Sequence, residues 1–502
     1  MIYITLKHNR KYEMSKKIII VGSGNAALCA GIAALEKGAK VEIYEKADKK
    51  LAGGNTKYTA GAMRFAYENG DELLHLLKDP DDMRIKNTDF GSYTKEKFSL
   101  DLLNFNDGRP LSEEQNILVS SSFDTMKWLA SHDVKFEPIY SRQSFLKDGK
   151  HVFWGGLTLA SENEGVGLFE QELLAFKKLG GIIHYASPVT KIIFENEEVR
   201  GVVVNDISIE ADAVILASGG FEASDELRKK FIGQDWVAAK VRGTPHNTGD
   251  GLIMALEIGA MKHGLYDGCH ATPMDLYMKN YGNLDLEPSE RKNYRKICYF
   301  LGIMINADGN RFVDEGINFR NYTYAQFGRK VLEQPGHFAW QIFDSKVFNL
   351  LYEEYRFHDA HFIEAETLDD LVLKMEGVNK DQTKKTLKEF NDAIDINVIF
   401  DPTILDGKST NGLDLKKSNW AQKIDKGPFK AFPVTGGITF TYGGLKVSRN
   451  GSVLKDNNKS IKGLYACGEL VGGIFYNGYP GGSGLTSGAV FGRIAGYGAA
   501  TL

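Results

Sequence analysis

Read for hydrophobic and polar positions, the first periodic segment of the chain is KKIIIVGSGNAALCAGIAALEKGAKVEIYEK. Ile18 to Val21 is a short unbroken apolar run, the pattern of a strand covered on both faces. Gly22-Ser23-Gly24 makes a turn, Asn25 to Lys37 is rich in Ala and Leu at helical spacing, and Gly38 ends that helix. Val41 to Tyr44 reads as the next strand, completing a βαβ unit. Residues 51–65 are Gly-rich and unlike a regular element, and residues 72–135 read mostly as helix, with Ser112 ahead of Glu114 and Gln115 as a helix start. Residues 182–216 read as strands that end on a glycine pair, which suggests a return to the first sheet. A turn and an amphipathic helix follow over 244–262. From His263 to Lys430 glycine thins out, aromatic and charged residues rise, and TKKTLKEFNDAID reads as helix. Residues 432–502 regain the glycines and close in SGLTSGAVFGRIAGYGAATL, a final helix. The pattern predicts an α/β protein. Its Rossmann-like domain takes residues 14–262 and 431–502, and an α+β capping domain is inserted over 263–430. Residues before Met14 read as a loose extension.

Composition narrows the classes. At 502 residues, 43% of them hydrophobic, the chain can bury a large core in two lobes. A formal net charge of -4 provides no basic field for nucleic acid. The cysteines, Cys29, Cys269, Cys298 and Cys467, form no C-x-x-C pair, so neither a self-contained iron–sulfur cluster nor a c-type haem is expected, and no metal site is read. Reduced thiols and the absence of a signal-like apolar stretch make a cytoplasmic location the expectation.

The candidate chemistry begins at Gly22-x-Gly24-x-x-Ala27, between strand and helix, with acidic Glu45 about 20 residues on and Lys46 beside it. The first glycine permits the turn and the second lets backbone approach a pyrophosphate. Asn25 and Ala26 open the helix toward it, and Glu45 accepts from a ribose hydroxyl. This motif alone does not separate FAD from NAD. Gly53, Gly54, Asn55, Thr56, Thr59, Ala60 and Gly61 form a small-residue stretch suited to a phosphate and a flavin ring edge. Ala217-Ser218-Gly219 ends a buried strand, Asp250 opens a helix, and Glu469 ends another strand where a ribityl hydroxyl can bond it. Gly484 and Leu485 open the last helix, whose positive end suits negative charge on a reduced flavin. Val189, at the start of a strand, completes the expected cofactor wall.

The segments GSGNAAL, GGNTKYTAGAM, VILASGGF, NTGDG, GLYACGEL and GGSGLTSGAVFGRIAG, in this order, resemble the fumarate reductase/succinate dehydrogenase flavoprotein family over nearly the whole chain. The longer phrases GGNTKYTAGAMR, RFVDEGINFRNYTYAQFG, TGGITFTYGGL and FYNGYPGGSGLTSGAVFGRIAG resemble its FAD-dependent tricarballylate dehydrogenases most. The resemblance implies an FAD-binding domain, a mobile cap, and substrate between them. Members that attach FAD covalently do so through a His in the GGNT region. Asn55 stands there, so non-covalent FAD is expected.

For the substrate, His270 matches a carboxylate-binding histidine of the family and Arg320 stands near its proton-shuttling arginine, one residue further from the preceding acid. Phe440 replaces a family His and Tyr479 replaces a family Arg, which speaks against plain fumarate reduction. Tyr479-Pro480-Gly481 is also similar to flavin-dependent ketosteroid dehydrogenases. The resemblance implies oxidation of a saturated C–C bond flanked by carboxylates, tricarballylate to cis-aconitate, by hydride transfer to flavin N5. Arg320, His270 and Tyr479 are the catalytic candidates, with Tyr322 a further possible base, and Arg242, Arg64 and Thr441 are the substrate contacts. A membrane-associated iron–sulfur protein is implied as electron acceptor. Other readings remain open: a fumarate-reductase-like or ketone- or steroid-type enzyme, an electron-transfer flavoprotein subunit, and an NAD dehydrogenase.

Overall fold

The unbroken apolar run near the start forms strand β1 (Lys17–Val21) in a nine-stranded sheet of the computed structural model, which describes residues 15–153, 156–287, 290–292 and 294–501. The extension expected before Met14 lies outside them. Helix α1 (Asn25–Glu36) and strand β2 (Lys40–Tyr44) follow, β2 parallel to β1 with Ile20 opposite Ile43. Then come helices α2 (Glu113–Ser131) and α3 (Glu164–Lys178). Strands β3 (Ile182–His184), β4 (Val189–Glu195), β5 (Glu198–Val204) and β6 (Ala213–Leu216) follow them. The next elements are β7 (Lys240–Val241), helix α4 (Asp250–Glu257), β8 (Cys269–Asp275), β9 (Ile303–Asn306), helix α5 (Arg320–Leu332) and β10 (Phe338–Asp344). The chain closes with β11 (Phe429–Thr441), β12 (Ser460–Ala466) and helix α6 (Ser483–Ala500).

The first sheet runs β4-β5-β12-β6-β1-β2-β3, so a strand near the C-terminus sits between two from the first half. From β12 to β3 the strands are parallel. Both faces are covered, and Ile18, Ile19 and Ile20 are fully buried as their unbroken run requires. Helices α1 and α6 cross very closely. A Cβ at Gly492 would stand 2.4 Å from the Ala26 carbonyl oxygen and one at Gly496 2.2 Å from that of Ala30, so the spaced glycines of the last helix are what let the backbones approach.

The second sheet runs β7-β11-β10-β9, with β8 and the short strand Ile363–Ala365 also paired to β11. It reaches beyond 263–430 on both sides, taking in Lys240–Val241 and the whole of β11. The physical reason is that β11 is one continuous thirteen-residue ladder. It pairs with β10 through residues 429–435 and with β8 through residues 434–441.

Helix α2 begins with a full capping box, Ser112 and Gln115 bonding each other's backbone N–H groups. The rest of 72–135 is less helical than its composition suggests. Residues 75–94 are mainly turns with a short strand at Thr88–Asp89. There Asp79 and Asp82 side chains accept from the N–H groups of Asp81 and Arg84, competing with helical bonds around Pro80.

Candidate functional site

Where β1, β2, β6 and β12 end and α1 and α6 begin, the first sheet opens on a cavity of about 440 Å³ whose far wall is built by β8, β11 and α5. At the β1 turn Gly22 has φ +100°, and a Cβ there would stand 2.5 Å from the Ala217 oxygen. The tight turn thus lays Ala217, Ser218 and Gly219 beside Gly24, Asn25 and Ala26 in the cavity wall. Glu45 and Lys46 follow at the end of β2. The Glu45 carboxylate accepts from Ser23 Oγ at 2.6 Å and from the Ala47 N–H at 2.7 Å. Lys46 Nζ donates to Asp250 Oδ2 and to Thr248 Oγ1, each at 2.6 Å, so Lys46 and Asp250 form an ion pair at the rim.

Gly54, Asn55, Thr56, Thr59, Ala60 and Val189 line the cavity, as do Glu469, Gly484 and Leu485. Gly53 and Gly61 are not among the lining residues, contrary to expectation. Gly53 donates its N–H to Ser23 Oγ at 3.1 Å, and a Cβ on Gly61 would meet Ser161 Oγ at 2.5 Å, so both shape the loop from behind. The Asn55 amide ties three segments. Nδ2 donates to Glu222 Oε1 at 2.6 Å and to the Thr439 carbonyl at 2.8 Å, while Oδ1 accepts from the Thr244 N–H at 2.9 Å. Glu469 Oε1 accepts from the Thr441 N–H at 2.6 Å and Thr441 Oγ1 at 2.9 Å, so its first partner is strand β11. Burial pushes Glu222 and Glu469 above the usual carboxylate range, and the nearby Glu469 charge raises Glu222 further. The two form an acid pair, with Glu222 fully buried and Glu469 half-buried.

Helices α1 and α6 both begin at glycines, Gly24 and Gly482, without a side-chain cap. The Asn25 N–H donates to Thr56 Oγ1 at 2.9 Å and the Ser483 N–H to the Pro480 carbonyl at 3.1 Å, and the remaining first-turn N–H groups give each helix its positive end at the cavity. A Cβ on Gly24, Gly54 or Gly484 would meet nothing nearer than 3.5, 3.9 and 3.8 Å, so these positions leave open room. A cavity with a helix N-terminus in its wall from each half of the chain fits a dinucleotide with a pyrophosphate and a ring that gains negative charge. FAD is such a group.

The far end carries the substrate candidates. Arg242, His270, Arg320, Thr441 and Tyr479 all line it. Arg320, first residue of α5, donates from Nε to Tyr352 Oη at 2.5 Å and from Nη2 to the Arg142 carbonyl at 3.0 Å. The nearby Glu315 does not pair with it but is held by Arg311 at 2.5 Å. Burial opposes the Arg320 charge, but neighbouring Tyr352 more than offsets it and holds the guanidinium above its ordinary value. Burial, then the Arg242 charge, holds His270 well below the usual imidazole range, so it is neutral, and its Nδ1 is buried without a hydrogen-bond partner. Its ring stacks on Phe440 at 5.2 Å and meets Tyr479 edge-on at 4.9 Å. Tyr479 Oη and Tyr324 Oη are 2.6 Å apart, and burial followed by Tyr324 raises Tyr479 well above the usual phenol value.

Two sequence candidates do not reach the cavity. Arg64 is fully buried behind it, with Nε on the Gly481 carbonyl at 2.7 Å, Nη1 3.4 Å from Asp101 and its guanidinium over the Tyr93 ring. Tyr322 turns to the same Asp101 at 3.2 Å. On α5, Tyr322 lies two residues from Arg320 and so points elsewhere, whereas Tyr324, four residues on, shares its face. Tyr324 was not among the sequence candidates, and that spacing is the signal that could have marked it. Arg295, Tyr352 and His246 also line the cavity and carry no motif that marks them.

The FAD binding domain family model matches residues 17–92 and 112–485. The probable fumarate reductase Ifc3 of Shewanella frigidimarina is 27% identical, over 96% of this chain and 74% of its own. The 3-oxosteroid 1-dehydrogenase of Mycolicibacterium smegmatis is also 27% identical, over 70% of this chain and 65% of its own. Among solved structures, the open conformation of a flavocytochrome c3 fumarate reductase superposes with a TM-score of 0.71 at 25% identity, covering 97% of this chain and 78% of that one. Helix N-termini, an open glycine cradle and a family match over most of the chain agree: the protein belongs to the FAD binding domain family and is an FAD-dependent oxidoreductase, similar to fumarate reductases.

Proposed function

We propose that the protein interconverts a saturated and an unsaturated carbon–carbon bond flanked by carboxylates, and that it oxidises tricarballylate to cis-aconitate. The observation that carries this reading is the set of guanidiniums lining one cavity: Arg242, Arg295 and Arg320, with Arg142, which is paired to Glu353 at 2.9 Å, as a fourth. Three carboxylates call for convergent, fork-shaped donors, which arginine supplies better than lysine. Bound FAD supplies the two-electron acceptor, or donor in the reverse direction.

In this reading Arg320 stays cationic and clamps a carboxylate. His270, neutral and with its Nδ1 unpartnered, takes the proton released from carbon, and Tyr479, bonded to Tyr324 Oη and kept protonated by burial, donates a hydrogen bond to the substrate. The cap-side wall of β8, β11 and α5 excludes water. Asn55 and the glycine loop would hold FAD without a covalent bond. In this reading the onward electron carrier is a separate partner, a membrane-associated iron–sulfur protein. Four buried thiols support a cytoplasmic location, and no helix among the described residues is long and apolar enough to cross a membrane.

Anaerobic mixing of the holoenzyme with tricarballylate, succinate and citrate tests the reading. Bleaching of the flavin absorbance by tricarballylate is expected, and no bleaching by any of these acids would sink it. One observation favours a second reading, a ketone- or steroid-type dehydrogenase. The Tyr324–Tyr479 hydroxyl pair lies against an aromatic wall of Phe440 and Phe475, with Tyr479 5.4 Å from each ring. Bleaching by a 3-ketosteroid and not by acids would select it.

A further inference from the structure

A second cavity, of about 590 Å³, adjoins the first. Arg242 and Arg295 line both, so they stand in the shared wall. They arrive from different segments. Arg242 follows β7 and is fixed by its N–H on the Ile438 carbonyl at 2.8 Å and by Nη1 on Thr439 Oγ1 at 2.9 Å. Arg295 stands beside β8, where it bridges to Met274, and its Nη2 donates to Glu354 Oε1 at 2.8 Å. Glu354 is itself buried and belongs to the turn Glu353–Tyr355. Arg295 Nε is buried and has no hydrogen-bond partner. One edge of the guanidinium is thus held by protein while a donor on it stays unused.

We propose that Arg242 and Arg295 form a subsite for a carboxylate remote from the reacting bond, with Glu354 as the positioning residue that aims Arg295. This rests on the carboxylate reading above and deepens it: the ligand class is an acid with one carboxylate more than the reacting pair needs. Electrostatics agrees with the geometry. Burial, then the charge of Arg295, pulls Arg242 down to about 10, the response of two cations facing each other out of water. A carboxylate between them satisfies the unused donor and offsets the repulsion, whereas an acid with only the reacting pair of carboxylates leaves both in place. The position on the wall between the cavities lets the extra arm of a branched acid lie there while its other carbons stay in the first cavity.

The test titrates tricarballylate and succinate into oxidised holoenzyme, following perturbation of the flavin spectrum, for wild type, Arg295→Gln, Arg295→Lys and Glu354→Gln. Arg295→Gln is expected to weaken tricarballylate at least about ten-fold while succinate changes less than about three-fold, with flavin content unchanged. Glu354→Gln should narrow the tricarballylate-to-succinate preference in the same direction, and Arg295→Lys should restore part of it. That selectivity is a readout that a merely structural role would not move. If Arg295→Gln weakens both acids equally, or neither, the subsite is overturned and the carboxylate reading stands. If neither acid perturbs the wild-type spectrum, both fall. Should Arg295→Gln fail to fold, Arg295→Lys decides by the same ratio: an unchanged ratio overturns the subsite.

Discussion

Arg320 shows how one side chain acquires a site. It opens α5, where its charge would gain nothing from the helix dipole, and instead rests on the Tyr352 hydroxyl and the Arg142 carbonyl. Those contacts aim it into the cavity and keep it protonated, which suits a clamp better than a base. Arg320→Ala, and equally Arg320→Lys, should lower turnover about 100-fold or more while the protein keeps its flavin. Turnover and the flavin-to-protein absorbance ratio of purified variants check this, and a fully active variant would remove Arg320 from the mechanism. Tyr479 and His270 were legible as candidates because each stands inside a recognisable phrase. Arg295 was not, since its meaning comes only from Glu354 and the shared cavity wall.

At the scale of elements, the βαβ unit and the last helix follow from periodicity, and their mutual contact does not. Helices α1, α3 and α6 come together around Cys29, whose Sγ lies 3.4 Å from Asn25 Oδ1 and 3.5 Å from Glu172 Oε1. Glu172 is fully buried and its Oε2 has no hydrogen-bond partner. Burial, only partly opposed by the Cys29 hydrogen bond, holds its carboxyl well above the ordinary range. The folded state therefore binds this proton more tightly than the unfolded state does. The stability it contributes is full below the unfolded carboxylate pKa, about 4.3, and is lost as pH rises toward the folded value. Glu172→Gln, which cannot ionise, should raise thermal stability relative to wild type at pH 8, on the order of 1 kcal/mol, and by less at pH 5. Paired melting curves at the two pH values check the sign, and equal effects at both would refute it. Nothing in helical spacing announces a buried acid on α3, because its burial is set by which helices pack on it.

The whole molecule joins the two sheets through residues distant in sequence. Asn55 of the glycine loop bonds Glu222, Thr244 and the Thr439 carbonyl, tying the first sheet to β11. Its amide is thereby occupied, and an amide at this place provides no imidazole for a flavin link. Acid precipitation of the holoenzyme should leave the yellow colour in the supernatant, and a yellow pellet would show a covalent bond. The chain by itself determined the parallel strand–helix–strand unit, the glycine turns and many of the residues that line the first cavity, because strand runs, helix caps and tight turns are local devices written in consecutive residues. The tertiary structure alone decided that Arg64 and Tyr322 turn to Asp101, that Tyr324 meets Tyr479, and that Arg242 and Arg295 share a wall. Those are distances between segments, set by how two sheets pack and by β11 running unbroken through the second, and no local pattern encodes them.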